Sequence, residues 1–514
     1  MMKVNVKNET MVRIMELIAP LSGTGDAMIK VDFGVGVTKN ENIPAVMNNK
    51  ISLTNGVEQV EVGFFTTIPQ EIEKPLEECS LLSPLESSVF KAGDFVSVCN
   101  VLTSYGSDIS IETDSAKATV AIDGVAEFPL YKADGTSMKA LIPHRNNSQC
   151  YENHDTEVMT LRFAASDLSS MIKSEMPLTK KINMEALRYY RITVKDIPVE
   201  TVTVEKDGVS KTLPKYNAAV TMCLTNSYSF AKVGCKVFAH KGTGNDLKKR
   251  VSAAKDVEDP VISFAKEGDD VVPQIIPFKE YEKKYKEDRK IDNFQFGVPC
   301  DVMDTIVKLA GTDPDDYVDI AIGVKYIQVF MRKIGFIYTA PQKPLIGAPD
   351  FSTACGNLFE LSGREGSYIE FDSKDLVNTM KLMSLYDKDD LVKRMPLIIE
   401  LTGGDITVMR GEAKAVIKGI KNECKIENKV YGLDPSYIGC ILAAVPAGTM
   451  RVTYGIEKPA MNFTKGDMKP SAECDGILVC GLEDVNKTIS EIKASYEKEQ
   501  EAKAKKEAEK GKDK

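Results

Sequence analysis

The sequence lacks the signals of several large protein classes. It contains no tryptophan and only three histidines. No segment approaches the ~20 consecutive apolar residues that a membrane-spanning helix needs, and the N-terminus has no apolar region typical of a secretory signal. The 11 cysteines are widely spaced and include no Cys-x-x-Cys pair, which favours free thiols in a reducing compartment. We therefore expect a cytoplasmic protein with no membrane partner.

The motifs of catalysis and cofactor binding are also absent. The sequence has no His-Glu-x-x-His, no phosphate-binding Gly-x-x-x-x-Gly-Lys-Ser/Thr and no Gly-x-Ser-x-Gly. His144, His154 and His240 do not pair at a metal-ligand spacing. We predict no catalytic residue, no metal site and no cofactor. Carboxylates are abundant, so an acid/base pair stays an open alternative.

The length, composition and net charge of the chain restrict the protein classes that remain possible. A chain of 514 residues corresponds to three or four domains at ~150 residues each. Its 43% hydrophobic and 27% charged residues are typical of folded globular proteins. The formal net charge is −9, so bulk charge does not attract DNA. Any contact with DNA would need a local basic surface.

One pattern, an amphipathic helix followed by strands with turn residues between them, occurs six times. The helix candidates occupy residues 8–20, 92–106, 166–176, 299–311, 373–384 and 434–448. Pro20 is predicted to end the first helix, Ser373 to cap the fifth and Asp434 to cap the sixth. The strand candidates lie in residues 50–64, 108–131, 189–194, 217–238, 317–340, 396–420 and 449–482. Runs of strands without βαβ alternation predict an α+β fold with antiparallel sheets.

Two segments depart from this pattern. Residues 241–292 contain 24 charged residues among 52, with equal numbers of each sign. We interpret this insertion as a solvated surface excursion, with a binding element as the alternative. From Asp484 the chain is rich in Lys, Glu and Ala, with 9 Lys against 8 acidic residues. Helical propensity without an apolar face predicts a frayed helix or a disordered tail.

Four local segments resemble the bacterial DNA polymerase III beta sliding clamp family, in the same order along the chain. KVYGLDPSYIGCILAAV (429–445) is similar to the stretch that opens the family's last helix. LTNSYSFAKV (224–233) is similar to its Thr-Asp-Gly-His/Tyr-Arg-Leu-Ala segment, with Asn226, Ser227 and Ser229 replacing Asp, Gly and Arg. APDFST (348–353) resembles an interdomain linker. GILVCGL (476–482) resembles the final strand, with Cys480, Gly481 and Leu482 where the family has Met-Pro-hydrophobic.

The resemblance spans residues 1–483 and implies a DNA-clamp fold. It implies three similar domains, each of two halves, at residues 1–157, 158–352 (with the charged insertion) and 353–483, before the tail 484–514. Two subunits would join head to tail in a ring, with six helices per chain lining the hole. The implied function is that of a processivity factor without bond chemistry, in a bacterial or phage-infected cell. Its partners would be duplex DNA, DNA polymerase, a clamp loader and other proteins with clamp-binding motifs.

The resemblance also implies three sets of functional residues. The DNA-facing set comprises basic residues on or next to the helices: Arg13, Lys173, Lys180, Lys181, Lys308 and Lys381. The partner-peptide cleft set comprises Thr225, Ser227, Tyr228, Phe230, Pro349, Tyr437, Met461 and Leu482. The subunit-interface set comprises Phe128 on an edge strand with Leu385 and Tyr386 after the fifth helix. Each of these residues has a plainer interpretation as a solvated charge or as core packing.

Other functions stay open on the sequence alone. The chain is alternatively a structural or assembly protein built of stacked β-rich domains. It is alternatively an enzyme with an unrecognised carboxylate site in residues 241–292. A eukaryote-like trimeric clamp fits less well, because that family has four helix units per chain. The tail is expected near the rim of the cleft, where it would modulate partner access.

Overall fold

The structure is a computed structural model of the chain. It describes residues 2–23, 26–40, 43–68, 85–114, 116–133, 157–206, 209–243, 262–267, 270–275, 293–311, 314, 317–323, 326–331, 336–343, 345, 367–385, 390–425, 429–445, 447–454, 460–466, 476–482 and 484–510. The chain divides into two compact units. The first consists of Met1–Ser170, Thr193–Val220 and Lys236–Pro344, and the second of Met171–Ile192, Thr221–Cys235 and Leu345–Lys514. The three-domain boundaries stay a prediction.

Within the described residues the chain forms eight α-helices. They are α1 (Asn8–Ser22), α2 (Ala92–Thr103), α3 (Ala165–Thr179), α4 (Cys300–Ala310), α5 (Ser373–Ser384), α6 (Asp390–Arg394), α7 (Tyr437–Ala444) and α8 (Val485–Lys510). A short 3-10 helix covers Glu185–Leu187.

The strands of the first half of the chain are β1 (Met2–Val6), β2 (Met28–Asn40), β3 (Ile43–Thr54), β4 (Gln59–Thr67), β5 (Glu86–Lys91), β6 (Ile109–Thr113), β7 (Lys117–Ile122), β8 (Ala126–Tyr131), β9 (Glu157–Ala164), β10 (Tyr189–Lys206), β11 (Val209–Thr225), β12 (Ser229–Thr243), β13 (Ile262–Glu267) and β14 (Asp270–Ile275). Those of the second half are β15 (Phe294–Pro299), β16 (Tyr317–Ile322), β17 (Tyr326–Met331), β18 (Phe336–Pro341), β19 (Ser367–Asp372), β20 (Leu397–Thr402), β21 (Asp405–Arg410), β22 (Ala413–Ile417), β23 (Lys421–Glu423), β24 (Lys429–Leu433), β25 (Thr449–Tyr454), β26 (Ala460–Lys465) and β27 (Gly476–Cys480).

The first unit contains two large antiparallel sheets. One has the order β1-β6-β7-β8, so β8 is an edge strand. The other runs β5-β2-β3-β4-β18-β17-β16-β9-β12, with only the later part of β12 taking part. Strands β13 and β14 of the charged insertion pair as a hairpin. The lysine- and glutamate-rich residues 280–290 lie outside the described residues.

The second unit also contains two antiparallel sheets. One runs β23-β19-β25-β26-β27, and the beginning of β12 pairs with β27 at its end. The other has the order β22-β21-β20-β24, so β22 and β24 are its edges. The predicted α+β organisation with antiparallel sheets is therefore confirmed.

Sequence periodicity accounts for the burial of these elements. In β1 the apolar Met2, Val4 and Val6 are buried and the polar residues between them are exposed, as the period of two requires. In α1 the buried side chains recur at helical spacing: Met11, Ile14, Met15, Leu17, Ile18 and Leu21. Such faces form the cores between helices and sheets.

Several helix ends differ from the prediction. Helix α1 contains Pro20 and ends at Ser22, because a proline so near the end removes only one hydrogen bond of the last turn. The cap of α5 is Asp372, whose carboxylate accepts the Lys374 N–H at 2.9 Å. Helix α7 begins only at Tyr437, because Asp434 instead folds a turn by accepting the Ser436 N–H at 2.9 Å. The described part of the tail, from Val485 to Lys510, is a continuous helix, α8.

A feature that sequence periodicity did not reveal occurs once in each unit. Arg162, three residues before α3, makes two hydrogen bonds of 2.7 Å to Asp319, its partner across the β9–β16 ladder. Glu370, three residues before α5, accepts two hydrogen bonds from Arg451 across the β19–β25 ladder, both at one carboxylate oxygen. Both pairs are nearly buried, and the acid and base have exchanged strands. Each unit therefore contains a nearly buried ion pair at the same position before a helix, and the strand that carries the base in one unit corresponds to the strand that carries the acid in the other.

Candidate functional site

The turn that joins β11 to β12 in the second unit is held by its own side chains. The Asn226 amide oxygen accepts the Tyr228 N–H at 3.1 Å and the Ser229 N–H at 2.8 Å. The Thr225 hydroxyl donates to the Ser229 carbonyl at 2.7 Å. These bonds hold Ser227 at a φ of +78°, which an L-residue adopts only at a cost. The turn presents Tyr228 to solvent with 69% of its surface exposed.

Tyr437 at the start of α7 is bonded to this turn. The Asn226 amide nitrogen donates to the Tyr437 hydroxyl at 2.7 Å and contacts the Lys181 carbonyl at 3.4 Å. Behind Tyr437, burial raises the pKa of Cys440 to about 11, and the nearby Lys181 ammonium opposes that rise. The sequence thus brings together two segments that are 211 residues apart.

The closing segment of β27 forms a third side of the site. The Cys480 N–H donates to the Tyr228 carbonyl at 2.9 Å, and the Leu482 N–H donates to the Gly432 carbonyl at 2.8 Å. Gly432 allows this close approach, because a Cβ at this position would stand 3.0 Å from the Leu482 side chain and would require that side chain to shift. Leu482 keeps 37% of its surface exposed. The turn, α7 and the closing segment therefore surround one small surface region, which we name the Tyr437 site.

One residue of the Tyr437 site was missed by sequence reasoning. Met184, just before the 3-10 helix, is exposed and accepts a weak hydrogen bond from the Ser227 hydroxyl at 3.8 Å. Its only sequence signal is an apolar side chain in a polar turn between Lys181 and Tyr189. With Tyr228 and Leu482, it adds a third exposed apolar side chain.

The other residues predicted for the cleft occupy different environments. Thr225, Phe230 and Met461 are buried, so they support the surface from below rather than line it. Pro349 lies outside the described residues. Helix α8 starts beside this site, since a Cβ on Gly432 would also stand 3.1 Å from Val485.

The predicted DNA-facing residues fall into two groups. Lys173, Lys180, Lys308 and Lys381 are exposed, whereas Arg13 and Lys181 are half-buried. The helices that carry them also carry acids: α1 has one Arg and two Glu, α4 has one Lys and two Asp, and α5 has two Lys and one Asp. Helices α2 and α7 contain no Lys or Arg. These helical surfaces therefore have mixed rather than strongly positive charge.

Exposed apolar side chains outside the Tyr437 site include residues of two edge strands and residues near two helix ends. On β8, Phe128 is 42% exposed and Tyr131 is 77% exposed. Val416 on β22 is exposed, and Leu385 after α5 is 65% exposed. Tyr386 lies outside the described residues. Two further exposed apolar residues lie near the end of α2 and in α5: Tyr105 and Leu382.

The described residues offer no sign of metal or membrane chemistry. Across the described ranges, no three His, Cys, Asp or Glu side chains are grouped so that they fit a metal ion. None of the described helices combines the length and apolar character needed to cross a bilayer.

Neither a protein-family model nor a curated protein sequence matches the chain. Solved structures do match. A putative DNA polymerase III beta subunit from Eubacterium rectale superposes with a TM-score of 0.60 at 12% identity, covering 94% of this chain and 100% of that chain. The chain has the sliding-clamp fold.

Two further sliding clamps give the same result. The DNA polymerase III subunit beta of Pseudomonas aeruginosa has a TM-score of 0.58 at 12% identity, and the Helicobacter pylori beta clamp solved with carprofen has 0.59 at 11%. Each match again covers 94% of this chain and all of the other. The predicted resemblance and clamp-fold class are confirmed. Because identity is so low, residue roles have to be argued from this chain's own geometry.

Proposed function

We propose that this chain is a DNA sliding clamp: a head-to-tail homodimeric ring that encircles duplex DNA and tethers a replicative polymerase. The observation that carries the proposal is the likeness over 94% of this chain and the whole length of bacterial clamps. A clamp loader and other replication or repair proteins would share the same docking site. The protein makes and breaks no bonds. It acts in the cytoplasm by raising the effective concentration of its partners at DNA.

The contact with DNA is proposed to be loose and independent of sequence. Exposed Lys173, Lys180, Lys308 and Lys381 supply positive charges for phosphate oxygens, which fix position without reading bases. The acids on the same helices, such as Asp167 and Glu175 beside Lys173 on α3, limit the attraction. A ring that slides needs this balance, since strong phosphate binding would hold it in one place.

The Tyr437 site is proposed to bind short peptides of partner proteins. Tyr228, Leu482 and Met184 offer exposed apolar surface, on which a peptide can bury its own apolar side chains. The hydrogen bonds around Asn226 hold the turn in place before a peptide arrives. A site that is already ordered loses less conformational entropy on binding.

The ring is proposed to close where β8 of one subunit meets β22 of the next. Both are edge strands, which offer unpaired backbone groups to a second chain. Phe128 and Tyr131 on one edge and Val416 on the other expose apolar surface that this contact would cover. Leu385 would lie at the same boundary.

A topological retention assay tests encirclement. The protein is threaded onto linear duplex DNA, both ends are then blocked with bulky protein caps, and the complex is washed in high salt. A ring stays on capped DNA, because a topological link does not depend on counterions, and it leaves when a restriction enzyme cuts the DNA. Binding that depends on phosphates alone is lost in the wash. Loss from capped DNA would refute encirclement.

The matched control for retention is Phe128→Glu. This substitution places a charge on the proposed subunit edge and leaves the helices unchanged. We expect the variant to sediment as a monomer and to be washed from capped DNA. Retention of a monomeric variant would contradict a closed dimer.

Peptide selection tests the docking site. Peptides are selected by phage display on the full-length protein, and their affinities are then measured calorimetrically. We expect Tyr228→Ser to weaken them tenfold or more, as loss of an aromatic anchor does. Tyr105→Ser, another exposed tyrosine outside the site, is the control and is expected to change nothing. Equal affinity for both variants would remove the Tyr437 site from the proposal.

A further inference from the structure

The chain continues from the Tyr437 site directly into helix α8. Leu482 lies beyond the end of β27, in an isolated antiparallel bridge with Gly432 of the edge strand β24. Asp484 caps the helix that follows, since its carboxylate accepts the Lys487 N–H at 2.9 Å. An isolated bridge lacks the neighbouring hydrogen bonds of a ladder. The position of Leu482 therefore depends on packing as well as on that bridge.

Gly432 has no side chain, and two other side chains lie in the space that this leaves, which we name the Gly432 notch. A Cβ on Gly432 would stand 3.0 Å from the Leu482 side chain and 3.1 Å from that of Val485, the first residue of α8. Val485 is buried, whereas Leu482 stays exposed. Because both side chains share the notch, removing one leaves the other free to shift.

Beyond the notch, α8 has a short apolar stripe. Its members follow one another at intervals of four, three and four residues and are buried or half-buried: Val485, Ile489, Ile492 and Tyr496. The face of the sheet that contains the notch continues through a row of cross-strand partners: Ile398, Met409 and Lys414. Ile398 and Met409 are half-buried, which agrees with partial cover by the helix.

The far part of this stripe is attached to helix α6. The Arg394 guanidinium donates to the Glu499 carboxylate at 2.9 Å and lies 5.4 Å from the Tyr496 ring centre. Helix α6 is itself bonded to the sheet, because Arg410 donates to the Lys393 carbonyl at 3.0 Å. Both side chains of the ion pair are nearly half exposed, so the pair adds little stability. The docking of α8 therefore depends mainly on its apolar side chains.

We propose that α8 positions Leu482 at the Tyr437 site, with Val485 as the positioning residue. The inference rests on the proposed binding of partner peptides at this site and extends that function to the tail. Val485 is buried and acts through Leu482 rather than by touching the peptide. Leu482 is exposed with α8 in place, so the helix orders the site without covering this residue. An ordered apolar surface loses less conformational entropy on binding, so α8 raises the affinity for peptides.

Hydrogen exchange on the full-length protein tests the contact in the notch. We expect Val485→Ser to make residues 476–482 exchange about tenfold faster, which corresponds to about 1.4 kcal/mol of opening free energy. Val485→Thr keeps the branched shape and is expected to change the rate less than threefold. The matched control, Ala494→Ser with Gln500→Ser, places serines at exposed positions of α8 and is expected to leave residues 476–482 unchanged. An unchanged rate in Val485→Ser overturns the proposal.

Peptide affinity tests whether this contact matters for binding. Calorimetry with the display-selected peptides is expected to show affinities about fivefold weaker for Val485→Ser and for a chain that ends after Asp484. A chain that ends after Glu499 keeps the stripe and the Arg394 contact and is expected to bind as the full-length protein does. Equal affinity without α8 overturns its positioning role, and tighter binding overturns it by showing that the helix obstructs the site.

The comparison with Tyr228→Ser separates this proposal from the peptide site itself. Peptides that respond to Tyr228→Ser but not to Val485→Ser overturn the role of α8 alone. Peptides that respond to neither variant overturn the docking site and, with it, the function assigned to the helix. Weaker binding in both variants, with full binding in Val485→Thr, is the expected result.

Discussion

Asn226 is the residue on which the geometry of the Tyr437 site depends most, so its removal is the sharpest test. The side chain is buried and makes four contacts: two as acceptor from the Tyr228 and Ser229 N–H groups and two as donor, to the Tyr437 hydroxyl and the Lys181 carbonyl. Asn226→Ala removes all four at once. The turn then has to hold Ser227 at positive φ without them.

The expected loss of opening free energy depends on whether each former partner of Asn226 can form another hydrogen bond. Exposed Tyr228 can satisfy its N–H with water at little cost. Ser229 is buried, and an unsatisfied buried N–H costs roughly 1–3 kcal/mol. Loss of the bonds to Tyr437 and Lys181 adds about 1 kcal/mol. The local opening free energy of this segment is therefore expected to fall by about 3 kcal/mol.

Hydrogen exchange followed by mass spectrometry measures this quantity locally. Peptides covering residues 221–235 are expected to exchange about a hundredfold faster in Asn226→Ala. Asn226→Asp is the matched control, because it keeps the acceptor for both backbone N–H groups and is expected to cost only about 1 kcal/mol. An exchange rate in Asn226→Ala within threefold of the wild-type rate would refute the claim that the Asn226 side chain holds this turn in place.

Three further predictions concern other parts of the second unit. Arg451→Met should lower the free energy of unfolding by roughly 3–5 kcal/mol, because it leaves the Glu370 carboxylate buried and unpaired, and adding Glu370→Leu should recover most of the loss in urea titrations. Gly432→Val should displace Leu482, raise the exchange rates of residues 480–485 and weaken peptide binding at the Tyr437 site without changing the dimer constant. The hydrogen bond from the α6 guanidinium holds the pKa of Glu499 below its ordinary value. That contact should therefore be fully formed above about pH 5 and lost as the pH falls through the lowered pKa, seen as faster exchange in α8.

The architecture was predictable because it follows from periodic burial. Helical spacing located α2, α4 and α5 to within a few residues, and runs of alternating residues located part of the sheets. Strands β5, β9 and β19, which directly precede helices, lie outside the predicted strands. The ends of elements were less predictable, because a cap depends on a specific hydrogen bond. Serine is a common residue type at helix caps. Here, however, Asp372 accepts the capping N–H, and the Ser373 hydroxyl accepts the Gly448 N–H instead.

The Tyr437 site was predictable only in part. Tyr437 and Tyr228 stand in segments that resemble a known family, so their proximity was expected. The contribution of Met184 depends on tertiary structure, since nothing in its local sequence distinguishes it from a residue of a turn. The apolar face of α8 was missed because Val485, Ile489 and Ile492 precede the charged repeat that dominates the composition of the tail.

The exchanged ion pairs help to explain how a sliding-clamp fold accommodates about 12% sequence identity. At one site the strand before the helix supplies Arg162 and its neighbour supplies Asp319, whereas at the equivalent site Glu370 and Arg451 are reversed. A buried charge at this register needs a partner of opposite charge, because an unpaired charge there would be costly, but in this chain the acid occurs on either strand. The same holds for the cores, where volume and periodicity matter more than identity. A chain can therefore keep the complete architecture while the residues that would reveal it to a sequence search are replaced.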